Sequence, residues 1–245
     1  MMEQPEFTVG QIRAVECFKE GWEMIKPHYW MMFAITLVGM LIAGIIPFGI
    51  GLGAMYCGIY FVLFQLSSGK PPDFSDLFKG FSFFVQALIA TLILVLPMIV
   101  FMIVMWVSMA GIMFSMVDSR GNVNPSAIFA LYGTLIFEGV IMAIVLSCIH
   151  AFLIFSYPLI VERNLSGIEA FKLSARASWA NLGGVVSLIL CQFALGFLGY
   201  LACAVGLYFT IPIMFAGVFV AYRRVFPGSQ TQNFIPPPPN VYEGI

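Results

Sequence analysis

The chain has 245 residues, 61% of them hydrophobic and 9% charged, with a mean hydropathy of +0.98. Soluble domains carry about 45–50% apolar and about 25% charged residues, so a soluble enzyme, a secreted disulfide scaffold and a disordered chain are excluded. Lys plus Arg (11) nearly balances Asp plus Glu (12), so no global charge points to nucleic acid, and a polytopic helical protein of the lipid bilayer remains.

The N-terminal segment 1–28 is charged throughout and lacks an apolar signal-peptide core, so the first membrane helix is expected to act as an uncleaved signal. Between Thr8 and Lys26, Ile12, Val15, Phe18, Trp22 and Ile25 recur every three or four residues. Arg13, Glu16, Lys19, Glu20 and Glu23 take the other side, and Thr8 and Gln11 have the spacing of a capping box. The pattern predicts an amphipathic helix lying in the cytoplasmic interface.

Spans are predicted at about 29–46 and 48–66, parted by Pro47 and a glycine-rich stretch in which Gly49/Gly53 and Ala54/Gly58 read as close helix packing. Asp73–Lys79 makes a short lead-in to an apolar run at 81–117, too long for one simple crossing of a bilayer core about 30 Å thick. The run 127–157 is also long. Tilt, a kink at Pro97, or a hairpin reaching past the outer headgroups would absorb the excess. Between them, 118–125 is a polar loop. Ser166 and Glu169 form a second capping box, opening an interfacial helix at 166–182, and spans at 183–203 and 206–222 follow. Arg223 and Arg224 stop the last span. The tail 223–245 holds Pro236 to Pro239 in succession and reads as a disordered, Pro-rich cytoplasmic segment, with a proline-reading partner as the alternative.

Positive charge sets the topology. With six crossings and the N-terminus inside, every basic residue except Arg120 is cytoplasmic. With seven, Arg163, Lys172, Arg176, Arg223 and Arg224 move outside and the asymmetry vanishes. The expected fold is therefore all-α: a polytopic membrane helix bundle, 29–222, of six transmembrane helices in three hairpins. Each hairpin is preceded by a cytoplasmic amphipathic segment, and both termini lie in the cytoplasm of the inner membrane. The first and last hairpins share a Gly-Leu pair near a tight turn, Gly51-Leu52 and Gly206-Leu207, which fits either a parallel duplication or the general preference for glycine there.

The run Ser75-Asp76-Leu77-Phe78-Lys79-Gly80-Phe81 resembles the DLFxGF element of a group of uncharacterised bacterial multi-pass integral membrane proteins. Pro158-Leu159-Ile160-Val161-Glu162-Arg163, the segment Leu165–Lys172 with Ser174, and the hairpin from Gly206-Leu207 through Pro212 to Tyr222-Arg223 are similar too. That group is related to the membrane domain of some glycerophosphodiester phosphodiesterases. The resemblance covers most of 9–224 and implies a six-helix membrane fold without established chemistry. The long third and fourth spans and their polar loop depart from it. No phosphodiesterase domain accompanies the membrane part, so that activity is not expected to carry over.

Ionisable residues within spans are costly and mark function by default. Glu138 lies near the outer interface and His150 nearer the inner one. About 18 Å of helix separates them, so they do not form a pair. Glu138 reads as an outward, solvated carboxylate or as a functional group, and His150 as a neutral hydrogen-bonding histidine or as a proton relay or ligand. Gln86 and Gln192 read as interhelical hydrogen-bonding residues. There is no HExxH, GxSxG, P-loop, paired intramembrane aspartate or CxxC, so no catalytic residue, cofactor or metal ligand is expected. Cys17, Cys57, Cys148, Cys191 and Cys203 read as packing residues. The expectation is a non-enzymatic protein acting by binding, as scaffold, assembly factor or regulator, with a membrane protein partner or a homo-oligomer as company. The alternative is a transporter or channel for a lipid or small apolar solute, with Gln86, His150 and Gln192 lining its cavity.

Overall fold

The computed structural model describes residues 7–46, 49–115, 125–202 and 205–227. The polar loop 118–124, Cys203 and the proline-rich tail from 228 onward lie outside the described residues. Among the described residues ten α-helices follow one another: α1 (Ala14–Ile25), α2 (Tyr29–Ile45), α3 (Leu52–Ser67), α4 (Ser75–Phe78), α5 (Phe84–Ser115), α6 (Pro125–Leu153), α7 (Ser156–Arg163), α8 (Gly167–Ala180), α9 (Leu182–Leu201) and α10 (Gly206–Val225). No strand occurs among the described residues.

Among the described residues, five helical stretches are long and apolar enough to cross a membrane: Ala14–Ile45, Ser75–Phe114, Pro125–Arg163, Leu182–Leu201 and Gly206–Val225. Several such helices mark a membrane-integral protein. The stretch expected at 48–66 is a shorter apolar helix, α3, of 16 residues. Met1–Thr91 with Ala151–Ile245 make one compact unit and Leu92–His150 a second.

In the first unit α3 is the central element. Every residue from Gly53 to Gln65 except Tyr56 is buried, as befits a helix that is apolar all round. Its glycines admit backbone rather than side chains. A Cβ on Gly58 would strike the Leu77 carbonyl oxygen, one on Gly80 would strike that of Ala54, and one on Gly53 would strike Thr91 and Ala87 of α5. Gly49 has φ +67, a left-handed conformation that glycine adopts without strain, at the turn before α3. On its half-buried side α3 offers Tyr56 to aromatic neighbours: its ring meets those of Tyr157 and Phe215 edge-on, with centroids 5.1 Å away in each case.

Helix α1 packs on α10, burying Ala14, Cys17, Phe18, Gly21 and Ile25. The crossing point is glycine on both helices: a Cβ on Gly21 would lie 2.7 Å from the Ala216 carbonyl carbon, and one on Gly217 would enter the Phe18 ring. Val15, expected on the packed side, is 67% exposed, because the small residues rather than the bulkiest ones make the close approach. The Thr8 capping box does not form. The helix starts six residues later, at Ala14, with no side-chain cap. Thr8 Oγ1 instead donates to the Arg224 carbonyl at 2.7 Å, and the Thr8 amide donates to the Val225 carbonyl at 2.7 Å.

The run expected as one span at 127–157 is broken after Leu153. Pro158 has no N–H, and its ring would press on the carbonyl of Ile154 four residues back, so the helix stops there and α7 starts at Ser156. Ser174 of α8 repairs the break from the side. Its fully buried hydroxyl accepts from the Phe155 amide at 3.1 Å and donates to the Phe152 carbonyl at 2.6 Å. The Ser166/Glu169 capping box is present in both directions and opens α8 at Gly167, whose α-carbon faces the Gln86 carbonyl of α5 too closely for any side chain.

The second unit consists of the continuations of α5 beyond Thr91 and of α6 as far as His150. Helix α5 runs unbroken through Pro97. Large apolar side chains stand in the open, with Trp106 67% and Phe114 88% exposed on α5 and Phe129 78% exposed on α6. In water such a surface would aggregate; acyl chains or a neighbouring membrane protein would cover it.

Candidate functional site

Within the second unit, one stripe of α5 and one of α6 flank an open groove of about 820 Å³, with Leu96, Val100 and Phe137 of its walls more than half exposed. Leu96, Val100 and Val104 recur every four residues along α5, and Phe137, Ile141 and Val145 do so along α6, so each set occupies one helix face. Pro97 sits at one end of the groove. It cannot donate to the Ile93 carbonyl, which lies a turn back and loses its usual intrahelical donor. The walls are apolar except for Thr134 and Glu138, one turn apart on α6.

Glu138 is the one ionisable residue lining this groove, and it is not the solvated carboxylate that its sequence position predicts. Its Oε1 accepts from the Ser108 hydroxyl of α5 at 2.8 Å, while Ser108 also lies 3.0 Å from its own Met105 carbonyl. Its Oε2 is sealed from the surroundings and has no hydrogen-bond partner within the protein. A sealed carboxylate oxygen without a donor costs about 1–3 kcal/mol, and more when charged. The arrangement therefore holds one fixed, unmatched acceptor sealed beside an otherwise apolar groove.

The other three polar positions do not line this groove. His150 is exposed, five residues beyond Val145, and stands a long way along the helix from Glu138. Gln86 belongs to the first unit, where its backbone meets Gly167, and its side chain is half-buried. Gln192 is half-buried on α9 and engaged with a neighbour. The structure thus separates the four positions rather than assembling them into one site. Among the described residues, no group of three or more His, Cys, Asp and Glu side chains is placed to hold a metal ion.

A second polar assembly, which the sequence does not foreshadow pair by pair, lies where α10 ends in the first unit. Glu162 of α7 accepts from the Tyr222 hydroxyl and, at 3.0 Å, from Arg223. Arg224 donates to Glu16 at 3.2 Å and to Glu20 at 2.6 Å, both on α1. The Arg223 guanidinium also lies over the rings of Phe64 and Phe219, each with its centroid 5.8 Å away. Asn181 receives the Gly10 amide at 2.7 Å and returns a donor to the Thr8 carbonyl at 3.0 Å. The near balance of acidic and basic residues in the whole chain was the available signal. Their assembly is structural: every charge in it is satisfied by another.

Comparison with family models, with curated proteins and with solved structures finds no match. Class rests on the molecule's own features: it is an all-helical, membrane-integral chain with several long apolar helices.

Proposed function

We propose that the chain is a six-crossing inner-membrane protein with both termini in the cytoplasm, acting by binding as a scaffold, assembly factor or regulator. The observation that supports this best is the length of the α5–α6 pair. Helix α5 has 32 residues and α6 has 29, roughly 48 and 44 Å of helix against a hydrocarbon core of about 30 Å. With six crossings the excess falls on the outer side, where Phe114 and Phe129 would present exposed apolar surface beyond the acyl chains. Such surface calls for a protein neighbour, either a different membrane protein or a second copy of this chain. The resemblance of the Ser75–Phe81 and Pro158–Arg163 elements to bacterial multi-pass proteins agrees with the six-helix plan.

Photocrosslinking amino acids at Phe114 and Phe129, irradiated in native membranes, test the proposal. Discrete protein adducts at both positions are the expected result. Lipid adducts alone would remove its basis.

The groove at Glu138 favours a second reading, transport of a lipid or small apolar solute. On that reading Glu138 is the functional position in place of the His150-centred set. Uptake or efflux by reconstituted vesicles would then fall with Glu138→Gln and survive His150→Ala.

A further inference from the structure

We infer that the charged face of α1 lines a water-filled cleft entering the bilayer from the cytoplasmic end of α10, while the exposed side of α9 at the same level faces lipid. The inference rests on α9 and α10 crossing the membrane, as proposed above, and assigns the medium that meets each side of the layer they form with α1.

The register of the three helices carries it. Helix α9 runs antiparallel to α10. At one end a Cβ on Gly199 would lie 2.8 Å from the Leu207 amide nitrogen. At the other end Thr8 joins the two helices, accepting from Asn181 at 3.0 Å and donating to Val225 at 2.7 Å. Helix α1 is antiparallel to α10 as well: Glu20 accepts from Arg224 at 2.6 Å, Gly21 meets Ala216, and Tyr29 donates to the Phe209 carbonyl at 2.9 Å. Eight residues separate Gly21 from Tyr29 and seven separate Ala216 from Phe209, so the two chains descend together. Helix α1 therefore lies along α10 instead of flat across its end.

These contacts fix which residues are level. Leu190 is nine residues from both Asn181 and Gly199, and Ala216 is nine from both Val225 and Leu207. Glu23, two residues past Gly21, stands within a turn of the same level. Leu190 is 62% exposed, and the Glu23 side chain is 69% exposed. One turn further on, Phe193 and Lys26 repeat the contrast at 63% and 58%. A layer surrounded by lipid would hold Glu23 and Lys26 in hydrocarbon, where ionised side chains are costly. A layer lifted into the cytosol would expose Leu190 and Phe193 to water. Lipid on the α9 side and water on the α1 side satisfy both.

Water suits the α1 face better than a charged partner does, because Glu23 and Lys26 already pair at 3.7 Å. A hollow of about 500 Å³ between α1, α3 and α10, lined by Glu20, Ser67, Arg223 and Arg224, forms the mouth. From Glu16 to Lys26 the charged face extends ten residues, about 15 Å at helical rise and half of a core about 30 Å thick.

Nitroxide labels on Glu23→Cys and, separately, on Leu190→Cys test the cleft in the full chain, reconstituted in phosphatidylcholine vesicles. Cys148, Cys191 and Cys203 are replaced by serine, and the buried Cys17 and Cys57 stay. Collisions with oxygen, which concentrates in hydrocarbon, are compared with collisions with a water-soluble nickel chelate. The expected result is a reversal between two level positions: nickel dominates on Glu23→Cys, and oxygen dominates on Leu190→Cys. Oxygen dominance on Glu23→Cys would overturn the inference, since that face would lie in lipid. Protection of that label from both reagents would overturn it too, since protein would cover the face. A Leu190→Cys label that reads water or headgroup depth means that α9 does not cross, and the cleft then falls together with the proposed topology. Lys26→Cys with Phe193→Cys repeats the comparison one turn along and decides the matter should Glu23→Cys not fold.

Discussion

Glu162 has a side chain only 9% exposed, and it gathers two donors from consecutive residues of α10, Tyr222 and Arg223. Removing it leaves a phenol and a guanidinium unmatched at a half-buried position, where each lost hydrogen bond to a charged group is worth about 1.5–3 kcal/mol. Glu162→Ala should therefore lower the thermal midpoint in detergent by several degrees, and Arg223→Ala should do nearly as much. Arg223→Lys should fall between, because lysine keeps the charge but loses the flat face that stacks on Phe64 and Phe219. If Arg223→Lys melted with the unaltered protein, the stacking would be contributing nothing. The glycines give a harder prediction. Gly58→Ala and Gly80→Ala each drive a methyl into a backbone carbonyl that cannot move aside. Overpacking of this kind costs about 1–3 kcal/mol or more, whereas Gly183→Ala, which has open space around it, should melt unchanged. Sequence could name Gly53 and Gly58 as packing residues because small residues four apart mark one helix face. It could not find their partners, which lie at Leu77 and Thr91, nor could it place Ser108 against Glu138 thirty residues on.

Helix ends divide sharply into those that local sequence decides and those that it does not. The α8 start depends on Ser166 and Glu169 alone, three residues apart, so the capping box read from the sequence is the one that forms. Thr8 and Gln11 have the same spacing, yet the Thr8 hydroxyl is taken by a carbonyl more than two hundred residues away. A local motif yields whenever tertiary contact offers the same hydroxyl a better acceptor. The α6–α7 break is the intermediate case: Pro158 is visible in the sequence, but its repair by Ser174 is not. Ser174→Ala removes the hydroxyl without adding volume, stranding the Phe155 amide and the Phe152 carbonyl in a buried position. About 1–3 kcal/mol should be lost, with amide exchange rising first at Phe155. The α8 cap also carries a pH signature. Hydrogen bonds from Ser166, its hydroxyl at 2.7 Å and its amide at 3.2 Å, hold the Glu169 carboxyl below the ordinary glutamate range. A depressed folded-state value means the contribution is complete above that ordinary range and is lost as pH falls through it toward the folded-state value. Glu169→Gln should flatten the acid limb of the melting curve by lowering stability near neutrality toward the low-pH value of the natural chain, with little change in acid.

At the scale of the whole chain, composition alone dictates an all-helical membrane protein, since only helices and closed barrels satisfy the backbone in lipid. Span boundaries come out within a few residues wherever an apolar run ends at a charge or a glycine, as at Arg223 and Gly206. They fail where a helix is stopped from within by proline, as after Leu153. Helix α3 is the test of the crossing number. Its 16 residues rise about 24 Å, short of the hydrocarbon core, but burial on nearly all sides spares it contact with acyl chains, so the usual length requirement does not bind it. If α3 crosses, the charge asymmetry is kept and every basic residue except Arg120 stays on one side. If it turns back, Lys70 and Lys79 change sides together with everything after them, and the ion pairs between α1 and α10, Glu16 and Glu20 with Arg224, would have to form across the bilayer, which their 3.2 and 2.6 Å distances forbid. One further reversal elsewhere would then be needed to bring Arg224 home. Truncation fusions to a dual periplasmic and cytoplasmic reporter at Lys70, Asn122 and Asn181 separate these arrangements. Inside, outside and inside are expected in that order. A periplasmic signal at Lys70 would mean that α3 is a buried re-entrant helix and that the protein crosses five times or fewer.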